Sequence, residues 1–151
     1  GEIVSFDTDM VGPYGYCADI SRAFVCGNKF NEHQKKIYLT AVEQIDYNSR
    51  LIKDGVSFRE FTEKAWILPE KYYGNRYSVM LHGIGLCDEW PAIRYPTDGG
   101  ERSGIFQKNM TITLESYIGE VGGHEGVKLE QQYLVGENGL ELMSHHPLEQ
   151  I

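Results

Sequence analysis

Three features are scarce in this chain. Cysteine occurs three times, at Cys17, Cys26 and Cys87, with no Cys-x-x-Cys pair. That count is too low and too odd for a disulfide framework, and the spacing argues against a thiolate zinc site. A reducing cytoplasm is the expected setting. Basic charge is the second shortage, because 14 Lys and Arg against 22 Asp and Glu leave a formal net charge of −8. A surface of that sign repels nucleic acid and anionic membranes, so neither is an expected partner. Long apolar runs are the third: nothing approaches the roughly 20 apolar residues that span a bilayer, and no basic segment leads into an apolar one. With 41% hydrophobic residues in 151, the chain can bury one modest core, which predicts a single domain over residues 1–151.

What the chain has in excess is acid, and it is concentrated near the start. Asp7 and Asp9 lie two apart in a β-prone stretch, so on a strand they share a face. Gly12-Pro13-Tyr14-Gly15 has the residues of a tight turn, and Tyr16 to Phe24 alternates as a returning strand would. That hairpin brings Asp19 back beside Asp7 and Asp9. Three ionised carboxylates in a small volume repel one another strongly unless a cation joins them, and oxygen-rich clusters suit hard or borderline divalent metals. On this stretch alone a polar hairpin tip with solvated acids is an equal reading. The chain also opens within a few residues of this centre, and the expectation is that it forms the C-terminal part of a longer protein.

Further along, Asn31 can cap a helix over residues 32–52, with Ile37, Ala41 and Ile45 in an apolar stripe and Gly55 as its stop. Ser57-Phe-Arg-Glu60 is a capping box that predicts a second helix to about Trp66 or Leu68, ended by Pro69. Residues 70–76 show no clear period, and 91–104 reads as a long loop rich in Pro, Gly and charge. His82 follows an apolar run and is followed by Gly83 and Gly85, which permit close approach of backbone or ligand. The tail reads as strands over 110–118, 127–135 and 140–143, with Asn138-Gly139 marking a hairpin. Glu115 and Glu130 fall inside these largely apolar strands, where an unpaired acid is expensive. Two such glutamates, three aspartates and one histidine together predict a metal site.

The order Asp, Asp, His, Glu, Glu on strands resembles the pita-bread metallohydrolases, which include methionine aminopeptidase, proline dipeptidase and creatinase. The matching segments are Gly15-Tyr-Cys-Ala-Asp-Ile-Ser-Arg22, His82-Gly-Ile-Gly85, Glu115 and Val127-Lys-Leu-Glu130. The resemblance implies an α+β fold: the C-terminal half of a pita-bread domain, with a curved antiparallel sheet and helices on one face. Several residues depart from the peptidase pattern. Thr8 stands where the peptidases place their first aspartate, bracketed by Asp7 and Asp9. Asp88-Glu-Trp-Pro91 replaces a His-Glu-x-Pro segment, Ser-Tyr follows Glu115 in place of Pro-Gly, and Lys128 stands where arginine is common. With these changes the chain is similar to the dimethylsulfoniopropionate lyases of the same fold, the DddP type.

That likeness implies a set of roles. The metal ligands would be Asp7, Asp9, Asp19, His82, Glu115 and Glu130, holding two divalent ions, with iron the first choice and manganese, cobalt or zinc tolerated. Asp88 would be the base of a β-elimination that releases dimethyl sulfide and acrylate, and Tyr77 would face the sulfonium of the substrate. The partner expected is that small molecule, acting on a homodimer that includes an N-terminal part. The competing expectation is an Xaa-Pro dipeptidase or aminopeptidase, against which the acid at position 88 speaks. His124, His145 and His146 match no motif and are expected on the surface.

Overall fold

The structure is a computed structural model that describes residues 1–27, 29–99 and 103–148. Its first unit is a hairpin of β1 (Ile3–Val11) and β2 (Cys17–Val25), paired antiparallel so that Asp9 lies opposite Asp19 and Asp7 opposite Ser21. The turn between them is a 3-10 turn over Pro13–Gly15, with Tyr14 at φ 63° and Gly15 at φ 82°. Glycine suits that second left-handed position because it has no Cβ to clash with the backbone.

Helix α1 (Glu32–Ser49) begins at a reciprocal capping box. Asn31 Oδ1 accepts from Gln34 N–H and Gln34 Oε1 accepts from Asn31 N–H, both at 2.9 Å. The helix ends three residues before the expected Ile52, where Arg50 forms the cap. Helix α2 (Phe58–Lys64) starts at Ser57 as expected and stops short of Trp66. There the chain turns extended at Ala65, and Trp66 N–H donates to the buried Asn48 Oδ1 at 2.8 Å in place of a helical carbonyl. A tertiary bond thus outcompetes the last helical turn. A further short helix, α3 (Glu70–Tyr73), occupies the stretch without period.

The second unit is a five-stranded antiparallel sheet in the order β4-β3-β5-β6-β7: β3 (Val79–Gly83), β4 (Ala92–Arg94), β5 (Thr111–Gly119), β6 (Gly126–Val135) and β7 (Leu140–Leu142). Strand β4 lies inside the stretch expected to be loop, and residues 100–102 of that stretch lie outside the described residues. Gly83 explains how β4 fits: a Cβ there would stand 2.3 Å from the Trp90 carbonyl oxygen. The glycine after His82 therefore admits backbone rather than a ligand.

Strands β5 and β6 are buried on both faces. Helix α1 covers one face, where Ser116 Oγ donates to Gln44 Oε1 at 2.6 Å and Ile37, Ala41, Ile45, Leu114, Ile118 and Leu129 join one core. The hairpin covers the other face through β2 and β6. The period of 2 along β5 and β6 therefore sends Leu114, Ser116 and Leu129 to the helix and Glu115 and Glu130 to the hairpin. No helix among the described residues is long and apolar enough to cross a membrane.

The cap at Asn31 closes the N-terminus of the helix that packs on β5 and β6. Replacing it as Asn31→Ala is expected to cost about 1 kcal/mol, read as a lower denaturant midpoint with an unchanged slope.

Candidate metal centre

The site forms between the two units. Asp19, 3% exposed on β2, faces His82 of β3, 1% exposed, and Glu130 of β6, 1% exposed. The imidazole is the hub. Its Nε2 lies 3.5 Å from Asp19 Oδ2, 3.4 Å from Glu115 Oε1, 3.3 Å from Glu130 Oε1 and 2.9 Å from Thr113 Oγ1. Its Nδ1 sits 3.0 Å from the Gly83 carbonyl oxygen, to which it donates, so Nε2 is the nitrogen aimed into the cluster. The register of the sheet sets this convergence, because His82 pairs with Thr113 and Glu115 pairs with Glu130.

Two groups of ligand atoms lie within 4.8 Å of one another: Asp19 with His82 and Glu130, and Asp7 with Asp9 and Asp19. Asp19 belongs to both. The first group is buried, while Asp7 and Asp9 are exposed on the edge strand. Glu115 stands beside the first group but its other oxygen is held by Lys128 Nζ at 2.6 Å. The same ammonium lies 3.4 Å from Asp7 Oδ2 and 3.5 Å from Glu130 Oε2.

Electrostatics follow from this crowding. Burial, with Glu130 nearby, pushes Glu115 up to about 8 despite Lys128. Burial also raises Asp19 to about 7, with Glu130 and Asp9 adding to it and His82 opposing. Burial works to raise Glu130 as well, but the nearby imidazole of His82 and the charge of Lys128 prevail and bring it down to about 2. For His82 burial favours the neutral ring, yet Asp19 and Glu130 outweigh it and the imidazole rises to about 11. The carboxylates thus favour the charged forms of the two nearest bases, His82 and Lys128. Even so, Asp19 Oδ1 and Glu130 Oε1 are buried without a hydrogen-bond partner. Orphaned carboxylate oxygens beside an imidazole nitrogen are the donor set a divalent ion takes, so these residues fit a metal pair that shares Asp19.

Sequence reasoning missed Ser21, Thr113 and the reach of Lys128. Ser21 Oγ lies 2.5 Å from Asp7 Oδ1 and 3.0 Å from Glu130 Oε2, so one hydroxyl tethers acids from both units. The signal was available, since each lies two residues from a proposed ligand on a strand and so shares its face. Tyr77 stands at the rim, with its ring centroid 4.9 Å from Lys128 Nζ. Asp88 is exposed on the loop after β3 and is not brought into the carboxylate cluster. That loop is tied to the hairpin by Cys17 N–H donating to the Gly85 carbonyl at 2.7 Å. His124, His145 and His146 are on the surface, as expected.

Residues 1–137 match the model of metallopeptidase family M24. Among curated proteins, the chain is 38% identical to the dimethylsulfoniopropionate lyase DddP of Roseobacter denitrificans over 98% of its own length and 34% of that protein. It is 36% identical to the DddP lyase of Roseovarius nubinhibens, again over 98% of the chain and 34% of the relative. Among solved structures, the prolidase from Pyrococcus furiosus superposes with a TM-score of 0.78 at 27% identity, covering 96% of this chain and 42% of that one. The chain thus spans about a third of the length of the lyases it matches. The architecture is that of the pita-bread fold, α+β with an antiparallel sheet, as the sequence led one to expect.

Manganese(II) added at about 100 times its dissociation constant is expected to stabilise the protein by about 2.7 kcal/mol, or roughly 5–10 °C in Tm. Asp19→Asn, which removes the shared carboxylate, is expected to abolish that rise in a thermal melt.

Proposed function

This chain belongs to metallopeptidase family M24, and we propose that within it the protein is a lyase that cleaves dimethylsulfoniopropionate to dimethyl sulfide and acrylate. The observation that carries this reading is the 38% identity to a lyase of that activity along 98% of the chain. The acid at Asp88, where the family's peptidases have histidine, supports it.

Asp7, Asp9, Asp19, His82, Glu115 and Glu130 would hold two divalent ions, with iron the first choice. Bound ions would supply Lewis acidity to the substrate carboxylate and so stabilise negative charge on the adjacent carbon. Asp88 then takes a proton from that carbon. The C–H electron pair becomes the new C=C bond, the C–S bond breaks with its electrons leaving on sulfur, and dimethyl sulfide departs from acrylate. Exposure in the loop after β3 leaves the Asp88 carboxylate free to reach substrate, unencumbered by the cluster. Tyr77 offers its ring to the sulfonium. Tyr77 is partly exposed, so its ring is open to solvent and to a ligand.

A second reading is an Xaa-Pro dipeptidase or aminopeptidase, favoured by the likeness to a prolidase. Headspace dimethyl sulfide above the iron-loaded full-length protein separates the two. The lyase reading predicts gas from the parent, a loss of about 10²–10⁴-fold in Asp88→Ala, and bound metal in both. No gas, with cleavage of an Xaa-Pro dipeptide, would return the protein to the peptidases. Tyr77→Ala is expected to raise KM by roughly threefold to thirtyfold with kcat little changed, while Tyr77→Phe keeps the ring face and the parent's KM. Initial-rate kinetics on both variants reads this out.

A further inference from the structure

The six proposed ligands stand on two units with no strand-to-strand ladder between them among the described residues: Asp7, Asp9 and Asp19 on the hairpin, His82, Glu115 and Glu130 on the sheet. Something other than backbone pairing must fix their separation. Arg22, 4% exposed on β2, meets that need. A guanidinium has five N–H donors in a rigid fork, and here each has an acceptor. Nε donates to the Pro147 carbonyl at 3.1 Å, and Nη1 donates to the carbonyls of Ser21 at 2.8 Å and Glu130 at 2.6 Å. Nη2 donates to Gln131 Oε1 and to the His146 carbonyl.

Nη1 is the decisive atom. It joins the backbone of a hairpin residue, Ser21, to the backbone of a sheet residue, Glu130, whose side chain enters the cluster. Ser21 in turn tethers Asp7 to Glu130 through its hydroxyl. On the far side the fork is anchored by the segment after β7. Ser144 Oγ donates to Gln131 Oε1 at 2.7 Å and accepts from Gln132 N–H at 3.2 Å, while Gln132 Oε1 accepts from Asp19 N–H at 3.4 Å.

We propose that Arg22 is the positioning residue of the metal centre: its five-donor fork, braced by residues 144–147, sets the distance between Asp19 and Glu130 and thereby the centre's affinity for metal. The proposal rests on the reading of these acids as metal ligands. Arg22 itself bonds backbone carbonyls and Gln131, not the side chains of the proposed ligands. Lysine at this position keeps the charge but has three donors and no fork, so it cannot hold both carbonyls and the strap together.

Cobalt(II) titration of the purified protein tests this, because visible absorption reports ligand geometry as well as affinity. The parent is expected to take up two equivalents. Arg22→Lys is expected to weaken binding by about tenfold to a hundredfold and to change the band intensities while unfolding remains cooperative. Gln131→Met, which removes one acceptor, should shift both in the same direction by less. A folded Arg22→Lys protein with a lower Tm but the parent's affinity and spectrum would overturn the proposal. If Arg22→Lys does not fold, parent-like cobalt binding by Gln131→Met would overturn it equally. A parent that takes up no cobalt would remove the metal reading itself, whereas uptake that ignores both variants would remove only the role of Arg22.

Discussion

The mutual repulsion of buried carboxylates is the constraint on which this structure turns. Asp19, Glu115 and Glu130 are each no more than 3% exposed and all reach one imidazole nitrogen within 3.5 Å. Isolated charges at such depth are prohibitively costly, and the protein answers with His82, Lys128 and hydroxyls from Ser21 and Thr113. The answer is incomplete, as two carboxylate oxygens remain without a hydrogen bond. Two such oxygens beside one imidazole are a cost that a bound cation would offset.

The architecture serves that arrangement. Burial on both faces makes β5 and β6 the shared wall between an apolar core under α1 and a polar centre under the hairpin. One face carries apolar packing and the other carries the carboxylate cluster, separated by the thickness of a strand. Because hairpin and sheet share no strand ladder among the described residues, side chains such as Arg22 and Ser21 help to hold them together.

Much of this was legible in the sequence, for physical reasons that differ from one element to the next. Period 2 placed Asp7 and Asp9 on one face, and the Pro13 turn brought Asp19 back to them. The cap at Asn31 and the stripe through Ile37, Ala41 and Ile45 gave α1 its start and its buried face. The ends of helices were less legible. Asn48 captures Trp66 N–H and so ends α2 early, an effect of tertiary contact that no local pattern carries. Strand β4 is three residues long and paired only to β3, too short for alternation to show. In the site, the acids announced themselves because charge inside apolar strands is conspicuous. Ser21 and Thr113 carried only the weaker signal of sharing a strand face with a proposed ligand, and Arg22 carried none, because a strand arginine is ordinary until its partners are known. Asp88 and Tyr77 took their roles from resemblance alone, and no local pattern in the sequence marks either of them.

The proposed ligand set calls for a metal pair that shares Asp19. Anomalous scattering from crystals of the iron-loaded full-length protein tests it most directly. Two peaks at the iron edge, one on each side of the Asp19 carboxylate and both lost in Asp19→Asn, are the predicted result. A single peak away from Asp19, or none in a protein that still releases dimethyl sulfide, would contradict it.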